Sequence, residues 1–545
     1  MRRALRFLSL ACAVVCVGGG CARTGTGGAT VSGRHAWSVA HTLRFADVAD
    51  PNTLNPYFST MDLTYDVSSM VYSYLIISDA SGHLIGDLAS TVPTPRNGGI
   101  SADGKTYVYH LRSGVKWHDG RPLTSADVRF SWLAVVNPKN STLHREGYDR
   151  VSSIDAPDAR TIIVHLKVRY PPFVTQFFAP LQEGGKPILP AHILAKYRSL
   201  DRVPFNAQPI GSGPFKFSRW ERGRQIVLVR NDAYFKGRPK LSRVILSVIP
   251  NDNTMLDELR LHHIDLITAP TVALYGTYKK LPDAVVELYP WNAQSLFVLN
   301  NRSGGLRDVR VRRAIAMAID YGAIWKKVTH GVGVAAVDIV PPTALGFTRN
   351  APYRYDPASA KRLLDAGGWH AGADGVRTRR GERLDFTLDV IAGSSSQQMT
   401  AILMQQWFRA VGIHLSLKTY PYNSIFAIDG PIYRAKYDFA EYSVTLPWDP
   451  DNLFYLGCDY VYPKGENIYG YCNRTVDRYE QAGLTTEDAR RRSRAYREAA
   501  PLIHATVPYV PLYQLRRLVV RSPDIKNFSA NPTSTPWWNI WQWDV

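Results

Sequence analysis

Hydrophobic and polar positions alternate along the stretch KTYVYHL at residues 105–111. This period of two is typical of a half-buried strand, with the two tyrosines and the leucine on one face. The Ser113–Gly114 pair that follows favours a tight turn. Residues 115–117 are therefore predicted to begin the returning strand of a hairpin.

A helical pattern replaces the alternation after residue 124. Thr124 is a suitable N-cap, and Asp127 stands three residues later in the position of a capping box. Phe130, Leu133 and Ala134 then give the predicted helix an apolar stripe.

The residues between this strand and this helix include side chains that serve in catalytic and metal sites, namely Trp117, His118, Asp119 and Gly120. A metal site needs three or four converging ligands, and no further His, Cys or Glu stands nearby at ligand spacing. A catalytic His–Asp pair is brought together through space rather than as sequence neighbours. We therefore interpret this segment as scaffold.

Capped helical patterns recur along the chain. An amphipathic helix is predicted over residues 65–76, another follows Asp308, and a third has Asp356 as its cap with Pro357 at its first position. These helices alternate with strands rich in Val, Ile and Leu, which argues for an α/β architecture. A chain of 545 residues is too long for one hydrophobic core, so two to four domains are expected.

The N-terminus resembles a bacterial lipoprotein signal. Three arginines precede an apolar run from Phe7 to Val17 that is too short to span a bilayer, and three glycines then precede Cys21. We predict that residues 1–20 are a signal peptide and that Cys21 becomes the lipidated first residue. Residues 21–40 would form a flexible tether. The exported protein would be held by its lipid on the outer face of the cell membrane, in a periplasm or at the cell surface.

Beyond residue 21 the chain has only Cys458 and Cys472. In an oxidising exterior they are predicted to form a disulfide, and two free thiols are the alternative. A bridge over a loop of this length stabilises a protein by about 3 kcal/mol in the chain-entropy model.

The formal net charge is +19, but the basic residues form only short clusters, such as those at 377–384 and 490–494. A nucleic-acid-binding protein would gather this charge into longer runs, so we expect no nucleic-acid partner. A solvated basic surface accounts for the composition, and attraction to anionic membrane surfaces is the second interpretation.

Motifs of familiar enzymes are absent from the sequence, which has no G-x-S-x-G, no H-E-x-x-H and no P-loop. Residues 331–336 have the glycine spacing of a dinucleotide fingerprint, but they follow a predicted helix instead of a strand. The adjacent His262 and His263 do not share a helix face. We expect no metal, no cofactor and no catalytic residue. A hydrolase is the enzyme alternative to a binding protein, and a ligand-presenting chaperone or sensor is a third class.

Five long motifs follow one another along the chain: DGKTYVYHLRSGVKWHDGRPLTSADVRFS (103–131), PIGSGPFKFSRW (209–220), LFVLNNRSGGLRDVRVRRAIAMAIDYGAI (296–324), YRYDPASAKRLLDAGGW (353–369) and WDPDNLFYL (448–456). In this order they closely resemble the family-5 extracellular solute-binding proteins. These are the dipeptide-, oligopeptide- and nickel-type binding components of bacterial ABC importers. The resemblance covers residues 42–543.

The resemblance implies a bilobal α/β fold of the periplasmic-binding-protein type, in its type II, large peptide-binding class, with an accessory domain and a two-strand hinge. Lobe I would comprise residues 41–86, 206–292 and 517–545, the accessory domain residues 87–205, and lobe II residues 293–516. The chain would cross between the lobes near residues 292 and 516, and the two crossing strands would form the hinge.

The resemblance also implies a set of ligand-binding residues in the cleft between the lobes: Tyr422 and Trp448 as aromatic contacts, Asp449 and Asp451 as acceptors, Asn300 at the lobe junction, Ser394 after a lobe II strand, and Met61, Asp62 and Leu63 on a lobe I loop that closes on the ligand. Packing or turn roles are the alternative for each, and DPDN is also a helix-start sequence.

Two charged anchors of the dipeptide-binding members are missing from this chain. Leu446 stands where those members have an Asp for the ligand ammonium, and Ser394–Ser396 stand where they have an Arg for the ligand carboxylate. Burying an unpaired charged terminus is costly. We therefore expect oligopeptides or blocked neutral compounds, recognised by backbone hydrogen bonds and stacking, rather than free dipeptides.

Other ligands and the partners follow from the same resemblance. Nickel chelates, oligosaccharides and haem are the alternative ligands. The partners would be two membrane permease subunits with cytoplasmic ATPases, and we expect the protein to be a monomer.

Overall fold

The computed structural model describes residues 30–31, 33–59, 61–142, 145, 147–180, 185–336, 340, 342, 344–427, 429–446, 449–461 and 464–545. The predicted signal peptide, the predicted lipidation site Cys21 and Trp448 lie outside these residues, and so does the side chain of Tyr422.

Strands and helices alternate along the chain. The strands are β1 Thr30–Val31, β2 Arg34–His35, β3 Thr42–Asp47, β4 Ile76–Ser78, β5 Leu84–Gly86, β6 Thr106–His110, β7 Val151–Asp155, β8 Thr161–Leu166, β9 Phe215–Glu221, β10 Gln225–Arg230, β11 Arg243–Val248, β12 Leu266–Ile267, β13 Val285–Leu299, β14 His370–Ala371, β15 Arg377–Arg379, β16 Glu382–Arg383, β17 Asp385–Ile391, β18 His414–Tyr420, β19 Phe439–Thr445 and β20 Tyr509–Arg521. The helices are α1 Asp62–Val71, α2 Ser125–Val136, α3 Phe173–Gln176, α4 Ala191–Leu194, α5 Asp252–Arg260, α6 Tyr275–Tyr278, α7 Val309–Ala318, α8 Tyr321–Ala323, α9 Pro357–Ala366, α10 Ser395–Ala410, α11 Tyr422–Ile425, α12 Asn452–Leu456, α13 Arg474–Gly483 and α14 Ala489–Thr506.

A ten-stranded sheet runs through both lobes in the order β18-β17-β19-β13-β20-β12-β3-β11-β10-β9. The long strands β13 and β20 pair with each other antiparallel through its centre. Strand β19 joins only the second half of β13, from Ala293 to Leu299, whereas β12 joins only the far end of β20. We call the half with β3 and β9–β12 lobe I and the half with β17–β19 lobe II. The two halves of the sheet are joined through β13 and β20.

The pairing of β13 with β20 is irregular where these strands pass between the lobes. The register shifts between Pro290 and Gln294, and it shifts again after Ser295. The carbonyl oxygen of Trp291 accepts a hydrogen bond from Gln514 Nε2 at 2.9 Å, outside the regular ladder. A proline that cannot donate to the ladder and a bulge of this kind bend a strand pair. The irregularity therefore lies at the point where a hinge between the lobes would move.

Helical caps account for several predicted helix starts. Thr124 and Asp127 form the predicted capping box of α2, Asp308 caps α7, and Asp356 caps α9 with Pro357 at its first position. In α7 the predicted apolar face is buried in the lobe II core beside α9 and α10. These predictions are confirmed because caps and the α7 stripe are local properties of the sequence. The stripe predicted for α2 is wrong at Leu133, which is 46% exposed, whereas Ala134 is buried.

The hairpin predicted at Ser113–Gly114 is wrong. Strand β6 pairs antiparallel with β8, with Tyr107 opposite Val164, and β8 pairs in turn with β7. Residues 115–117 contribute only an isolated bridge, between Lys116 and Pro122. Strand β8 has its own alternating apolar face, which continues the face of the buried tyrosines of β6 when the two strands pair. The segment 115–117 is too short to pair along β6 in this way.

The segment Trp117–Asp119 makes contacts that hold the fold together. Trp117 is buried and donates its indole N–H to Asp127 at 3.4 Å. The His118 ring accepts from the Gly211 N–H and contacts the Gly213 carbonyl, both at 3.1 Å. Burial lowers the pKa of His118 to about 4, so the ring is neutral at pH 7. These contacts support the interpretation of this segment as scaffold.

Cys458 and Cys472 form the predicted disulfide, with their Cα atoms 4.4 Å apart. The bridge joins the two ends of the loop between α12 and α13 in lobe II. The Cys458 N–H donates to the Asp477 carboxylate on α13, at 3.3 Å to one oxygen. The loop is thereby tied to the helix that follows it.

The Trp-rich C-terminal segment is buried against lobe I. Trp537 and Trp543 are 1% and 0% exposed, and the ring of Trp537 lies 4.7 Å from that of Phe45 in β3. Within the described part of the chain, no helix is both long enough and apolar enough to cross a membrane.

Candidate ligand-binding site

A cavity of about 630 Å³ lies between the two lobes. Lobe I contributes residues 46–49 after β3, residues 61–66 at the start of α1 and residues 267–270 after β12. Lobe II contributes the end of β19, residues 443–445, while 291–293 and 515–518 of the crossing strands form the floor. This volume is typical of pockets that enclose small ligands, about 300–1,000 Å³.

The lobe I wall is built where parallel strands end. Strand β3 pairs parallel with β11 and β12, so their carboxyl ends open at one edge of the sheet, the usual place for ligands in α/β proteins. Asp47 is the last residue of β3 and accepts a hydrogen bond from the Ala49 N–H at 3.1 Å. Burial is the main cause that raises the pKa of Asp47, and the nearby Asp62 adds to it.

Helix α1 presents its first turns to the cavity. Met61 is its N-cap residue, and Met61, Asp62 and Leu63 all line the cavity. Asp66 follows Asp62 by one helical turn, so both carboxylates lie on the same face. The structure thus places the three predicted lobe I residues at the cavity wall, together with Asp66, which the sequence reasoning missed.

Asp66 is an unusually buried acid for a cavity wall, with 8% of the residue exposed. Desolvation raises its pKa to about 7. Arg517 opposes this rise, whereas the charges of Asp47 and Asp62 add to it. The carboxylate therefore titrates near neutral pH.

The crossing strands bring an aromatic and two cations to the cavity floor. The Arg517 guanidinium lies 4.5 Å from the ring centre of Trp291, a cation–π distance. Arg516 donates to the Leu288 carbonyl at 2.8 Å, so it is held by the sheet. Sequence reasoning missed Trp291 and Arg517, although two arginines inside the apolar strand run LRRLVV were a visible signal.

The family follows from a match over more than half of the chain. Residues 83–460 match the family described as bacterial extracellular solute-binding proteins, family 5 Middle. The chain belongs to this family. Its members are solute-binding proteins rather than enzymes. Membership in the family supports a solute-binding role for this chain.

Relatives of this family-5 protein match it over nearly their whole length. The oligopeptide-binding protein AppA of Bacillus subtilis is 25% identical over 512 residues, covering 92% of this chain and 91% of AppA. Protein XP55 of Streptomyces lividans is 28% identical over 522 residues, covering 95% of this chain and 91% of XP55. The structure of NikZ from Campylobacter jejuni in complex with Ni(L-His) superposes with a TM-score of 0.79 at 25% identity, covering 93% of this chain and all of NikZ. These neighbours share the type II bilobal fold, so the predicted fold class is confirmed.

Two further residues predicted for the family-5 site, Asn300 and Ser394, lie outside the lining of the interlobe cavity. Asn300 lines a separate cavity of about 440 Å³ in lobe II, where its side-chain amide donates to the Ala435 and Tyr437 carbonyls. Ser394 is the N-cap of α10 and accepts from the Gln397 N–H. Neither residue is among the described residues that line the interlobe cavity.

The two aspartates of the DPDN segment have protein partners. Asp449 receives two hydrogen bonds of 2.5 Å from the Arg492 guanidinium, and both side chains are 5% exposed. Asp451 caps α12 and lies 3.4 Å from Arg150. Neither is among the described lining residues of the interlobe cavity. Their predicted role as ligand acceptors stays a prediction, as does that of Tyr422 and Trp448, whose side chains lie outside the described residues.

Among the described residues, no group of three or more His, Cys, Asp or Glu side chains is arranged to hold a metal ion.

Proposed function

We propose that this protein is the substrate-binding component of an ABC importer and that it captures peptides or peptide-like solutes in the interlobe cavity. The observation that carries the proposal is that the cavity is lined by both lobes and by the two strands that join them. A ligand that contacts both walls stabilises the closed arrangement more than the open one, and so shifts the population of lobe positions.

The edge of β19 supports an extended peptide as the ligand. Strand β19 pairs with β13 along Phe439–Thr445, but β17 meets it only at Phe439 and Ala440. Among the described strands, none pairs with the other side of β19 from Glu441 onward, and residues 443–445 of this stretch line the cavity. A peptide backbone can add to such an edge by strand pairing, so that its main chain supplies affinity and its side chains supply selectivity.

The relative AppA is named for oligopeptide binding, which favours the same class of ligand. The rest of the transport system follows the predictions made from the sequence: delivery to two permease subunits with ATPases, a lipid anchor at Cys21 and a monomeric state. We also keep the predicted domain boundaries and the hinge near residues 292 and 516 as part of this proposal.

Native mass spectrometry of the freshly purified protein tests the proposal by weighing whatever co-purifies.

Calorimetry with a pentapeptide whose termini are blocked then tests the strand-pairing mode. N-methylation of a backbone nitrogen that pairs with β19 should abolish binding, whereas N-methylation of a neighbouring residue, which points away from the edge, should have little effect. Peptides that bind equally well with either modification would exclude strand addition. Peptides that are cleaved during the measurement would favour a hydrolase.

A complex of nickel with an amino acid is the second candidate ligand, because NikZ was solved with Ni(L-His). Titration with nickel and L-histidine in the same calorimeter distinguishes the two classes. Binding of this complex without binding of any peptide would replace the peptide proposal.

A further inference from the structure

The acidic and the basic side chains of the interlobe cavity lie on different surfaces. Among the described lining residues they are Asp47, Asp62 and Asp66 on the lobe I wall and Arg516 and Arg517 on the floor. Lysines and arginines outnumber acids 65 to 46 in the chain, so an all-acidic wall is not what the composition alone would place there. The lobe I wall therefore has a charge opposite to that of the protein as a whole.

The three carboxylates have no counter-ion of their own. Within the described part of the chain, no Lys, Arg or His nitrogen lies within 4.0 Å of any of them, whereas other buried acids are paired, such as Asp265 with Arg44 and Asp449 with Arg492. Arg517 affects Asp66 only through the longer-range attraction between their charges.

The burial of Asp66 without a described hydrogen bond is a second observation that indicates a ligand. Asp66 is more than nine-tenths buried, it lines the cavity, and its carboxylate takes part in none of the described hydrogen bonds. The Trp537 indole N–H lies near enough to lower the pKa of Asp66, but it reaches no partner with hydrogen-bond geometry. Buried polar groups are normally paired, and an unpaired one that opens onto a binding cavity is available to a ligand.

We propose that the wall formed by Asp47, Asp62 and Asp66 binds a positively charged group of the ligand, an ammonium or a guanidinium. This inference rests on the proposed function, since it concerns the same cavity. It adds a charged contact to the expectation, drawn from Leu446 and Ser394–Ser396, of oligopeptides or blocked neutral compounds rather than free dipeptides. The cation is held by lobe I, whereas the missing Asp anchor at Leu446 belongs to lobe II. The wall therefore supplies a charged anchor that the motif comparison did not place.

Calorimetry with three blocked or unblocked pentapeptides tests the proposal. The probes are N-acetyl-Ala-Ala-Ala-Ala-Ala-amide, the same peptide with Lys at position three, and Ala-Ala-Ala-Ala-Ala-amide with a free amino terminus. Spermidine serves as a cation without a peptide backbone. We expect one or both cationic peptides to bind about tenfold or more tightly than the neutral one, and their order tells a basic side chain from an amino terminus as the source of the charge.

The variant Asp66→Asn should remove this preference, so that the cationic and neutral peptides bind with similar affinity. Asp257→Asn is the matched control, because that acid is 63% exposed on α5. Asp62→Asn is the second variant if Asp66→Asn does not fold, because Asp62 is exposed and its loss cannot disturb the core.

The pH dependence gives a further readout. Asp66 faces Asp47, Asp62, Arg517, Trp537 and Tyr289, and its pKa of about 7 means that its charge develops between pH 6 and pH 8. A lysine side chain stays charged over that range, so the affinity for the Lys peptide should rise with pH in the wild type but not in Asp66→Asn.

Each outcome tests the cation-binding wall and the proposed peptide-binding function separately. Peptides that bind with no preference for a cation overturn the inference and leave the proposed function standing. Spermidine that binds through Asp66 while no peptide binds supports the inference and overturns the peptide ligand. No binding of any of the four probes overturns both.

Discussion

Glu441 offers the sharpest test of the electrostatics of lobe II. It is 3% exposed on β19, and one carboxyl oxygen accepts a hydrogen bond from Ser295 Oγ at 3.1 Å. Its other oxygen takes part in none of the described hydrogen bonds, although the Thr400 hydroxyl is near enough to oppose the rise in pKa. Desolvation raises the pKa of Glu441 from 4.5 to about 8, so the folded protein keeps this carboxyl neutral at pH 7 while the unfolded chain ionises it.

The sign of the pH effect follows from the number of protons bound. Between pH 4.5 and 8 the folded state holds one more proton than the unfolded state at this group, so the free energy of unfolding falls as the pH rises. Each pH unit costs about 1.4 kcal/mol, which amounts to about 3 kcal/mol at pH 7. The contribution is fully restored below pH 4.5.

Replacing Glu441 with Gln keeps the shape of the neutral carboxyl and removes its titration. The stability gained by Glu441→Gln over the wild type should therefore be below about 1 kcal/mol at pH 5 and about 3 kcal/mol at pH 7. Urea unfolding at pH 5, 6 and 7, followed by hydrogen exchange of the β19 amides, measures the difference in the lobe that contains Glu441.

Glu498→Gln is the matched control, because Glu498 lies exposed on α14. It should show the same pH dependence as the wild type. A difference between Glu441→Gln and the wild type that stays constant from pH 5 to pH 7 would refute the assignment of a neutral buried carboxyl.

Three further changes have defined outcomes. Arg492→Met leaves the buried Asp449 carboxylate without its partner and should lower the free energy of unfolding by about 3–5 kcal/mol in urea titration, and a loss below 1 kcal/mol would contradict this. Replacing both Cys458 and Cys472 with Ser should cost about 3 kcal/mol, measured in the same way without reductant, and a variant as stable as the wild type would show that the bridge adds nothing. Cys21→Ser should move the exported protein from the membrane to the soluble fraction of fractionated cells, and membrane retention would contradict the lipid anchor.

Local features of the fold were predictable because neighbouring residues determine them. Thr124 with Asp127, and the caps Asp308 and Asp356, gave correct helix starts because a cap needs only residues within one turn. The hairpin at Ser113–Gly114 failed because the partner strand β8 lies about fifty residues away, beyond the reach of turn rules.

The cavity residues show the same limit of prediction from sequence, because contacts between distant parts of the chain determine them. Met61–Leu63 were predicted from the family resemblance, and the structure places them at the wall. Asp66 and Arg517 were missed because their proximity depends on α1 and β20, which come from opposite ends of the chain. Burial of Asp449 by Arg492 was also invisible, since a helix-start aspartate and a ligand acceptor have the same local sequence.

The contact between Phe45 and Trp537 has a consequence for biogenesis. One core joins residues from nearly the two extremes of the described chain, and all of lobe II is made between them. At about 5–20 residues per second, a ribosome needs on the order of a minute to connect the two. Lobe II has every strand of its sheet once β20 emerges, whereas lobe I waits for the tryptophans that follow. During synthesis, lobe I therefore completes its core only after lobe II has all the strands of its sheet.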